Sequence, residues 1–562
     1  MKAGTPRMTG IEAFLEVLAA AGVDRIFGNP GTTELPLNAA LLGDDRFQYI
    51  FGIHEIPVVG MADGYAMASG RLGVVNLHTS CGLGNAMGMI YNAHIEGTPL
   101  LVTSGQQDRR LRLGEPVLDG DLVSVVRPWT KWAYEVQRVS DIPTAVRRAI
   151  QTALAPPAGP VFLSFPVDMQ MENIDGVDLS APTVLDRQVR PPRAALKRAA
   201  MLLLEARKPV ILAGSRVTES GAIDELVAVA ERLGAPVFSE ATPSHGRLPM
   251  PAGHPQYHGV LPNWSPDIRE KLSEFDVVLA VGINVMRLYI YCQPENPLPP
   301  HVRLIHLDNA TGEIGKNFPV EIGLMGDPKC GLSELNEILC DGQSPEHARL
   351  ASDRRAELVD RRRRAQRQLE QDIGSQRNAR PLAPLNLMHC LARSLPSDVA
   401  VVEEAITTHQ NVFERLGVLH DPAAFFGHRG WALGWGMGCT LGVKLAWPDR
   451  PVLGLIGDGA ALYGIQALWS AAHHKIPVTF VIANNAQYKI LKVCGDVMAL
   501  PELRDPQCPG MNLTGPTADF VGLARAFGVD AVRVTNPDEL SDCVRESLSG
   551  SRPKLVEVPI AE

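Results

Sequence analysis

The chain has 562 residues, of which 45% are hydrophobic and 20% are charged, so it can form three or four folding units with sizeable cores. Its 53 basic and 62 acidic residues give a formal net charge of -9, which argues against a dedicated nucleic-acid-binding protein. No stretch reaches the ~18 uninterrupted apolar residues of a membrane span, and the nine cysteines suggest neither a disulfide framework nor a zinc knuckle. We therefore expect a cytoplasmic protein with no nucleic-acid or membrane partner.

Short β-branched runs alternate with longer helical patterns along the whole chain. Such alternation is typical of parallel α/β layers. It predicts an α/β fold with three doubly wound parallel-sheet domains. The clearest predicted strands, in chain order, are 74–77, 100–103, 210–213, 277–281, 452–456 and 479–483.

Two breaks in this alternation, at 175–193 and 340–384, suggest where the domains end. We expect domains at 1–180, 190–345 and 385–562, with a linker at 346–384. The linker includes an arginine-rich run at 353–367. This run could be a polyanion-binding patch, but its interleaved acidic residues favour a solvated helix.

The first and third domains match when one is shifted by 378 positions. Gly60 then falls on Gly438 and Gly64 on Gly442, and strand, turn and helix recur in phase. Few residues are identical between the two segments, so the alternative explanation is the pattern that all βαβ units share. A true repeat would mean two related α/β domains separated by a third.

In both copies a strand ends in a turn at the carboxyl edge of the sheet, where ligands of open α/β folds collect. The first turn carries His78 and the second carries Asp458, within Gly457-Asp458-Gly459. Glycines at 82–88 have the wrong spacing for a dinucleotide fingerprint, which makes a nicotinamide enzyme the weaker interpretation.

Gly457-Asp458-Gly459 is followed about 25 residues later by Asn484-Asn485, at the end of the next strand. Neighbouring strand ends would bring together the Asp458 carboxylate, the Asn485 amide oxygen and the carbonyl of Gln487. These are hard oxygen donors that suit Mg²⁺, which also accepts water and phosphate oxygens. With a helix starting near Ala461, the pattern predicts a magnesium-dependent diphosphate anchor.

The segment from Gly457-Asp458-Gly459 to Asn484-Asn485 resembles the diphosphate motif of thiamine-diphosphate-dependent enzymes. The layout is similar to that family's pyrimidine-binding, central and diphosphate-binding domains. The segments most similar to benzoylformate decarboxylases are 27–31, Glu55, 76–78, 105–107 and 254–261.

This resemblance implies thiamine diphosphate and Mg²⁺ as cofactors, and decarboxylation of a 2-oxo acid through an enamine intermediate. It also implies a homo-oligomer, commonly a tetramer. In such an assembly each cofactor lies between the pyrimidine domain of one subunit and the diphosphate domain of another.

The resemblance also implies residue roles. Glu55 matches the glutamate that activates the cofactor, and His78 matches a proton-shuttling histidine. Thr32 takes the place of a substrate-contacting serine, and Leu433 matches the apolar wedge that bends the cofactor. The other residues implied to contact the cofactor are Pro30, Gly31, Thr407, Thr408, Gly457, Asp458, Gly459, Ala460, Tyr463 and Asn485. Asp458, Asn485 and Gln487 are implied as the metal ligands.

Departures from the family pattern lie in the expected substrate pocket, which also includes Thr32, His78 and Leu433. A second active-site histidine has no counterpart, and Tyr289 falls nearest to its place. Ile490 should narrow the space beside the reactive carbon, while Cys494 should open room farther out.

Weak proton delivery would let the enamine attack an aldehyde acceptor, so carboligation is the alternative outcome. Such a carboligase, similar to acetolactate synthases, could hold a flavin near 214–216 in its central domain. The remaining alternative is a catalytically silent subunit with a regulatory or scaffold role. The intact Glu55 and the intact metal motif argue against it.

Overall fold

A computed structural model describes residues 7–240 and 246–561. Residues 1–6, 241–245 and 562, which belong to the predicted first, central and third domains, lie outside the described residues. The described residues form three six-stranded sheets in which all neighbouring strands are parallel. The predicted α/β fold with three parallel-sheet domains is therefore confirmed.

The central strands of the first sheet are buried on both faces, as expected for parallel strands covered by helices. From edge to edge, its strands are Gln48–Phe51, Arg25–Gly28, Gly73–Leu77, Leu100–Gln106, Val161–Pro166 and Ala133–Glu135. Its α-helices are Gly10–Ala20, Leu35–Leu41, Glu55–Ser69, Thr79–Glu96, Leu122–Val126, Ile142–Leu154 and Val167–Met171. A small antiparallel pair joins Met8–Thr9 to Asn173–Ile174.

The central sheet has its own apolar core, shared in part with the third domain. Its strands, in spatial order, are Tyr257–Val260, Val237–Ser239, Pro209–Ala213, Val277–Val281, Arg303–Asp308 and Ile322–Met325. Its α-helices are Arg193–Glu205, Ser215–Glu219, Ile223–Leu233, Ser265–Leu272 and Pro328–Gly342.

The third sheet repeats the arrangement of the first. Its strands, in spatial order, are Phe425–Phe426, Ala400–Glu404, Val452–Gly457, Thr479–Asn484, Lys554–Pro559 and Asp530–Arg533. Its α-helices are Pro384–Ser394, Ile406–His409, Val412–Leu416, Trp435–Ala446, Asp458–Gly464, Ala467–His473, Lys489–Val497, Phe520–Ala526 and Pro537–Leu548. No helix in the described part of the chain combines the length and apolar character needed to cross a membrane.

The first and third sheets have the same strand order, which supports the internal repeat predicted from the 378-residue offset. In both sheets the third and fourth strands in chain order lie at the centre, and the second and fifth lie at the edges. Equivalent topology over six strands is a stronger indication than the few sequence identities. The two domains are therefore structural copies of one α/β unit.

Helix Glu55–Ser69 of the first domain packs directly on its counterpart Trp435–Ala446 in the third. A Cβ atom added to Gly60 would lie 3.3 Å from the Gly438 Cα atom. One added to Gly442 would lie 2.0 Å from a carbonyl oxygen of the facing helix. The glycines are thus needed because the two helix backbones are nearly in contact.

The predicted linker forms one long helix, Pro345–Ser375. The expectation that it is simply solvated is only partly correct. Arg362 donates hydrogen bonds to three carbonyl oxygens in segment 252–257, and Arg354 donates to the Leu233 carbonyl. These bonds fasten the helix to the central domain, which the mixed charge pattern did not indicate.

We expect Gly442→Ala to destabilise the protein by roughly 1–3 kcal/mol, because the new methyl group would force the two packed helices apart. The matched control is Gly374→Ala, at a helical glycine with open space around it. That change should be neutral or stabilising by up to about 1 kcal/mol. Denaturant unfolding of the two variants measures both values, and equal stability would contradict the close packing.

Candidate functional site

Glu55 is the first residue of helix Glu55–Ser69, close behind the end of a strand. Its side chain is only 5% exposed. Asn29 Nδ2 donates to Oε1 and Asn85 Nδ2 donates to Oε2, each at 3.0 Å. The two amides hold both carboxylate oxygens in a fixed orientation, which a solvated strand-end carboxylate would not have. Asn29 and Asn85 are absent from the predicted site residues, although Asn29 lies in the quoted segment 27–31.

His78 lies where strand Gly73–Leu77 passes into helix Thr79–Glu96. Its Nδ1 atom is 2.8 Å from Glu34 Oε2 and 3.2 Å from Thr33 Oγ1. Gly31 packs against the imidazole so closely that a Cβ atom there would lie 2.2 Å from Nδ1. The imidazole ring is therefore bound by a carboxylate and packs closely against the backbone of Gly31.

Glu34 is 1% exposed, and its bonds extend beyond His78. Its carboxylate also accepts hydrogen bonds from the amides of Gly31, at 2.9 Å, and Gly105, at 2.8 Å. Thr32, the predicted substrate contact, is exposed, and the hydroxyl beside His78 belongs to Thr33. Glu34 is a functional candidate that the sequence did not reveal, because its position next to two threonines carries no sign of burial.

Asp458 begins helix Asp458–Gly464, so this helix starts three residues earlier than predicted. The preceding strand pairs with Thr479–Asn484, which brings Gly457 opposite Ala483. Asp458 is 4% exposed, and burial raises the pKa of its carboxyl to about 6. Hydrogen bonds from the backbone amides of Gly459, Asn485 and Ala486 lower this pKa and so oppose the effect of burial.

The loop after Asn484 is ordered by its own side chains. Asn484 donates to Glu557 Oε1 at 2.8 Å and accepts from the amide of Ala486 at 3.0 Å. Asn485 Oδ1 accepts from the Gln487 amide at 3.1 Å. Ala486 has a left-handed φ of 54°, which turns the chain back beside Asp458.

Gln487 lies opposite Asn512 in an isolated antiparallel bridge. The two bridge hydrogen bonds are made by its neighbours, from the Leu513 amide to the Ala486 carbonyl and from the Tyr488 amide to the Met511 carbonyl. The carbonyl of Gln487 must therefore point to the other side of the strand, where its amide meets Asn485. Its side chain is separately bound by Lys492, with Nζ 2.5 Å from Oε1.

These residues fit a divalent cation. Burial raises the pKa of the Asp458 carboxyl, and the positive charge of a metal ion would stabilise its ionised form. The side-chain amide of Asn485 and the backbone carbonyl of Gln487 lie on the same loop and are oxygen donors of the kind that Mg²⁺ accepts. No group of three His, Cys, Asp or Glu residues suited to a metal occurs within 7–240 and 246–561, in keeping with a predicted ligand set that has one carboxylate.

Leu433 lies in a turn whose following backbone amides are hydrogen-bonded to Glu404. Glu404 accepts hydrogen bonds from the amides of Gly434, Trp435 and Gly436, at 3.0, 3.2 and 2.8 Å. Gly434 has a φ of 97°, which favours glycine. Glu404 was not predicted as a site residue.

The residues implied to contact the diphosphate lie around the same sheet edge. The half-buried Thr407 and the buried Thr408 are in the short helix Ile406–His409, which follows the strand of Glu404. Tyr463 is partly exposed, and its backbone borders Gly434. The predicted cofactor contacts of the third domain therefore lie on adjoining elements.

Tyr289 of the central domain meets Trp431 and Cys494 of the third. The Tyr289 and Trp431 rings are edge to face, with centroids 4.5 Å apart. Burial raises the pKa of the Cys494 thiol, and its hydrogen bond with Tyr289 acts in the opposite direction. Tyr289 therefore borders the space that we expect beside Cys494. Ile490 lies one turn earlier on helix Lys489–Val497.

The predicted site residues gather in two groups. The partners of Glu55 and His78 belong to the first domain, whereas those of Asp458 and Leu433 belong to the third. We call these the first and third half-sites. Each is assembled within its own domain and lies at the carboxyl edge of its sheet.

Three family models match the chain. They are described as the N-terminal TPP binding domain, the central domain and the C-terminal TPP binding domain of thiamine pyrophosphate enzymes. They match residues 8–124, 196–335 and 405–558, respectively.

Individual proteins match over nearly their full lengths. Benzoylformate decarboxylase of Pseudomonas aeruginosa is 34% identical over 549 residues, covering 97% of this chain and 98% of that protein. A probable acetolactate synthase large subunit of Methanocaldococcus jannaschii is 29% identical, covering 98% and 92%. The solved thiamine diphosphate-dependent 4-hydroxybenzoylformate decarboxylase of Rhodococcus jostii RHA1 has a TM-score of 0.85 and 31% identity, covering 99% of each chain.

Divalent-cation binding should weaken as the pH falls below about 6, because a proton on Asp458 would compete with the metal. The expected change is about tenfold in affinity per pH unit below that value. Calorimetric titration of Mn²⁺ with thiamine diphosphate, between pH 5 and pH 7.5, measures it. Asp458→Asn should abolish the pH dependence together with tight binding. A flat affinity profile in the unsubstituted protein would contradict the assignment of Asp458.

Proposed function

Because the chain belongs to the thiamine pyrophosphate enzymes, we propose that it decarboxylates a 2-oxo acid in the manner of benzoylformate decarboxylases. The observation that carries the proposal is the buried Glu55 carboxylate, with both oxygens held by Asn29 and Asn85. A scaffold protein would have no need to bury a carboxylate beside an asparagine pair at the edge of a sheet.

The third half-site holds the charged end of the cofactor. Asp458, Asn485 and the carbonyl of Gln487 bind Mg²⁺, and Gly457 and Gly459 let the diphosphate approach the backbone. Further contacts come from Thr407, Thr408, Ala460 and Tyr463, and from Pro30 and Gly31 on the first half-site. Leu433 would be the apolar wedge against the cofactor.

Thiamine diphosphate held by these residues would supply a nucleophilic carbanion and a sink for the electron pair that decarboxylation releases. Glu55 holds a proton at the aminopyrimidine ring, where its low exposure keeps water from competing. Glu34, beside His78 Nδ1, keeps a proton on that nitrogen. The opposite nitrogen, Nε2, is then the one that exchanges a proton with the substrate, and Thr32 binds the substrate carboxylate.

Carboligation is the second candidate. The observation that favours it is Tyr289, which occupies the expected position of a second proton donor and is engaged with Cys494 and Trp431. A tyrosine is a weak acid at neutral pH, so the activated substrate would survive long enough to join an aldehyde. Product analysis with pyruvate, alone and with benzaldehyde, separates aldehyde release from carbon–carbon bond formation.

A flavin has less support at the central-domain turn that includes Arg216. The guanidinium of Arg216 is buried and makes two 2.8 Å hydrogen bonds to Asp308. Gly214 is packed so tightly that a Cβ atom there would lie 2.4 Å from the Gly282 carbonyl oxygen. This turn serves the domain core, and a colourless holoenzyme would exclude a tightly bound flavin.

The proposed active form is a cytoplasmic homo-oligomer, a tetramer by analogy with the family. Each half-site is assembled within its own domain, which is compatible with the arrangement of the family, in which one cofactor lies between the first half-site of one subunit and the third half-site of another. The nine cysteines are free thiols, as in reducing compartments.

Glu55→Gln should lower the rate of CO₂ release by about 100-fold or more, because an amide cannot transfer the proton that the aminopyrimidine requires. The control is Glu357→Gln, at an exposed position on the linker helix. Circular dichroism and thermal unfolding establish that the variant is folded. Near-normal turnover by folded Glu55→Gln protein would refute the proposed role.

Glu34→Gln should lower kcat by about 10- to 100-fold and change KM less, since the amide keeps the shape but not the charge beside His78. Thermal unfolding of the same variant is the control for stability. A merely structural role for Glu34 would lower the melting temperature and leave kcat of the folded protein unchanged.

A further inference from the structure

A cavity of about 380 Å³ lies at a meeting point of the three domains. Its wall includes Tyr91 of the first domain, Glu240, Asn284 and Tyr289 of the central domain, and Arg429 and Trp431 of the third. Within the described part of the chain, its lining contains none of the residues proposed to bind the cofactor or the metal. The cavity is therefore a candidate binding site that is separate from both half-sites.

Trp431 is held in a backbone conformation that a bulky residue rarely adopts. Its φ is 64°, in the left-handed region. The Trp431 amide donates to His428 Nδ1 at 3.0 Å, and the next residue, Ala432, exchanges two hydrogen bonds with Asn92. Such strain persists where the surroundings enforce it, which is a common feature of ligand sites.

Four polar atoms in the cavity wall are buried and have no hydrogen-bond partner within residues 7–240 and 246–561. Two are donors, Trp431 Nε1 and Arg429 Nη1, and two are acceptors, Glu240 Oε2 and Asn284 Oδ1. Glu240 is 5% exposed, and its other oxygen lies 3.5 Å from Arg429 Nη1, in an ion pair that leaves hydrogen-bonding capacity on both side chains. Buried polar atoms normally find partners, so these four indicate a polar ligand.

The two kinds of atom call for two different groups on the ligand. The donors, Trp431 Nε1 and Arg429 Nη1, suit a carboxylate, and Arg287 at the exposed mouth of the cavity adds a positive charge. The acceptors, one of which belongs to the Glu240 carboxylate, suit an ammonium group. A ligand with only one of these groups would leave either the donors or the acceptors unpaired. A ligand that carries both charges satisfies all four atoms.

The remaining wall is aromatic. Tyr289 and Trp431 lie edge to face, with ring centroids 4.5 Å apart, and Tyr91 lines the cavity as well. Aromatic rings pack against apolar groups and attract ammonium groups over their faces. The cavity volume leaves room for a bulky apolar side chain in addition to the charged groups.

We propose that this cavity binds a free α-amino acid with a large apolar side chain. Its carboxylate accepts hydrogen bonds from Trp431 and Arg429, and its ammonium group donates to Glu240 and Asn284. The side chain lies against the aromatic wall. This ligand is distinct from the 2-oxo acid substrate, so the inference does not depend on the proposed function.

Calorimetry on the holoenzyme tests the two charged groups separately. The probes are L-phenylalanine, 3-phenylpropionate, which lacks the ammonium group, and 2-phenylethylamine, which lacks the carboxylate. L-phenylalanine should bind at least about tenfold more tightly than either analogue, since each analogue leaves one pair of buried polar atoms unsatisfied. Absence of phenylalanine binding would overturn the inference, as would an analogue that binds equally well. Failure to release CO₂ from any 2-oxo acid would reject the proposed function and leave this result unaffected.

Two substitutions locate the binding in this cavity. Trp431→Phe removes the indole donor and keeps an aromatic ring, so it should weaken phenylalanine binding by about fivefold, the effect of one hydrogen bond. Arg287→Gln changes an exposed side chain that the fold does not need, and it should weaken binding by about threefold. Neither change should weaken the binding of 2-phenylethylamine, which has no carboxylate.

The matched control is Arg364→Gln, which removes the same charge at an exposed position on the linker helix, outside the cavity. It should leave the dissociation constant of phenylalanine unchanged. Thermal unfolding establishes that each variant is folded. If folded Trp431→Phe and Arg287→Gln proteins both bind phenylalanine as tightly as the unsubstituted protein, the assigned contacts are wrong.

Discussion

The close approach of helices Glu55–Ser69 and Trp435–Ala446 determines how the first and third domains are oriented. Glycines on both helices allow the backbones to touch, and the Trp435 indole donates a hydrogen bond to the buried Asp63 across the same interface. Burial raises the pKa of Asp63 to about 7. Each helix begins beside a site residue, Glu55 in one case and Leu433 in the other. Any shift in this packing would therefore move both half-sites.

Buried carboxylates at strand ends organise both half-sites by the same physical means. Glu34, Glu55 and Glu404 are each almost fully buried, and each accepts hydrogen bonds from amides that would otherwise be unpaired. An isolated buried carboxylate is strongly unfavourable, so these bonds offset much of the desolvation. Burial nevertheless raises the pKa of Glu404 to about 8 and that of Asp458 to about 6. The hydrogen bonds to these two carboxylates therefore offset only part of the cost of burying them.

The sequence predicted the repeated α/β architecture because hydrophobic period, turn glycines and strand spacing are local signals. It also predicted the metal loop, whose oxygen donors follow two adjacent strands. It did not reveal Glu34 or Glu404, because their partners lie far along the chain: His78 is 44 positions from Glu34, and Gly434 is 30 positions from Glu404. Whether such a glutamate faces solvent or the interior depends on tertiary packing, which no local pattern encodes.

The turn that carries Trp431 and Leu433 begins at Arg429, which lies at a junction of all three domains. Its guanidinium lies 3.1 Å from Glu96 of the first domain, and 3.6 and 3.5 Å from Glu219 and Glu240 of the central domain. These carboxylates raise the pKa of Arg429, against the opposing effect of burial. Removing one member of such a buried network leaves the others uncompensated, which is strongly destabilising.

Arg429 also begins the turn that carries Trp431 and Leu433, so one ionic cluster supports the backbone next to both residues. The cluster constrains the backbone of the turn, whereas Trp431 and Tyr289 meet through side chains from different domains. Those side chains can change without breaking a buried ion pair. Arg429 and its carboxylate partners therefore keep the turn in place independently of the contact between these two rings.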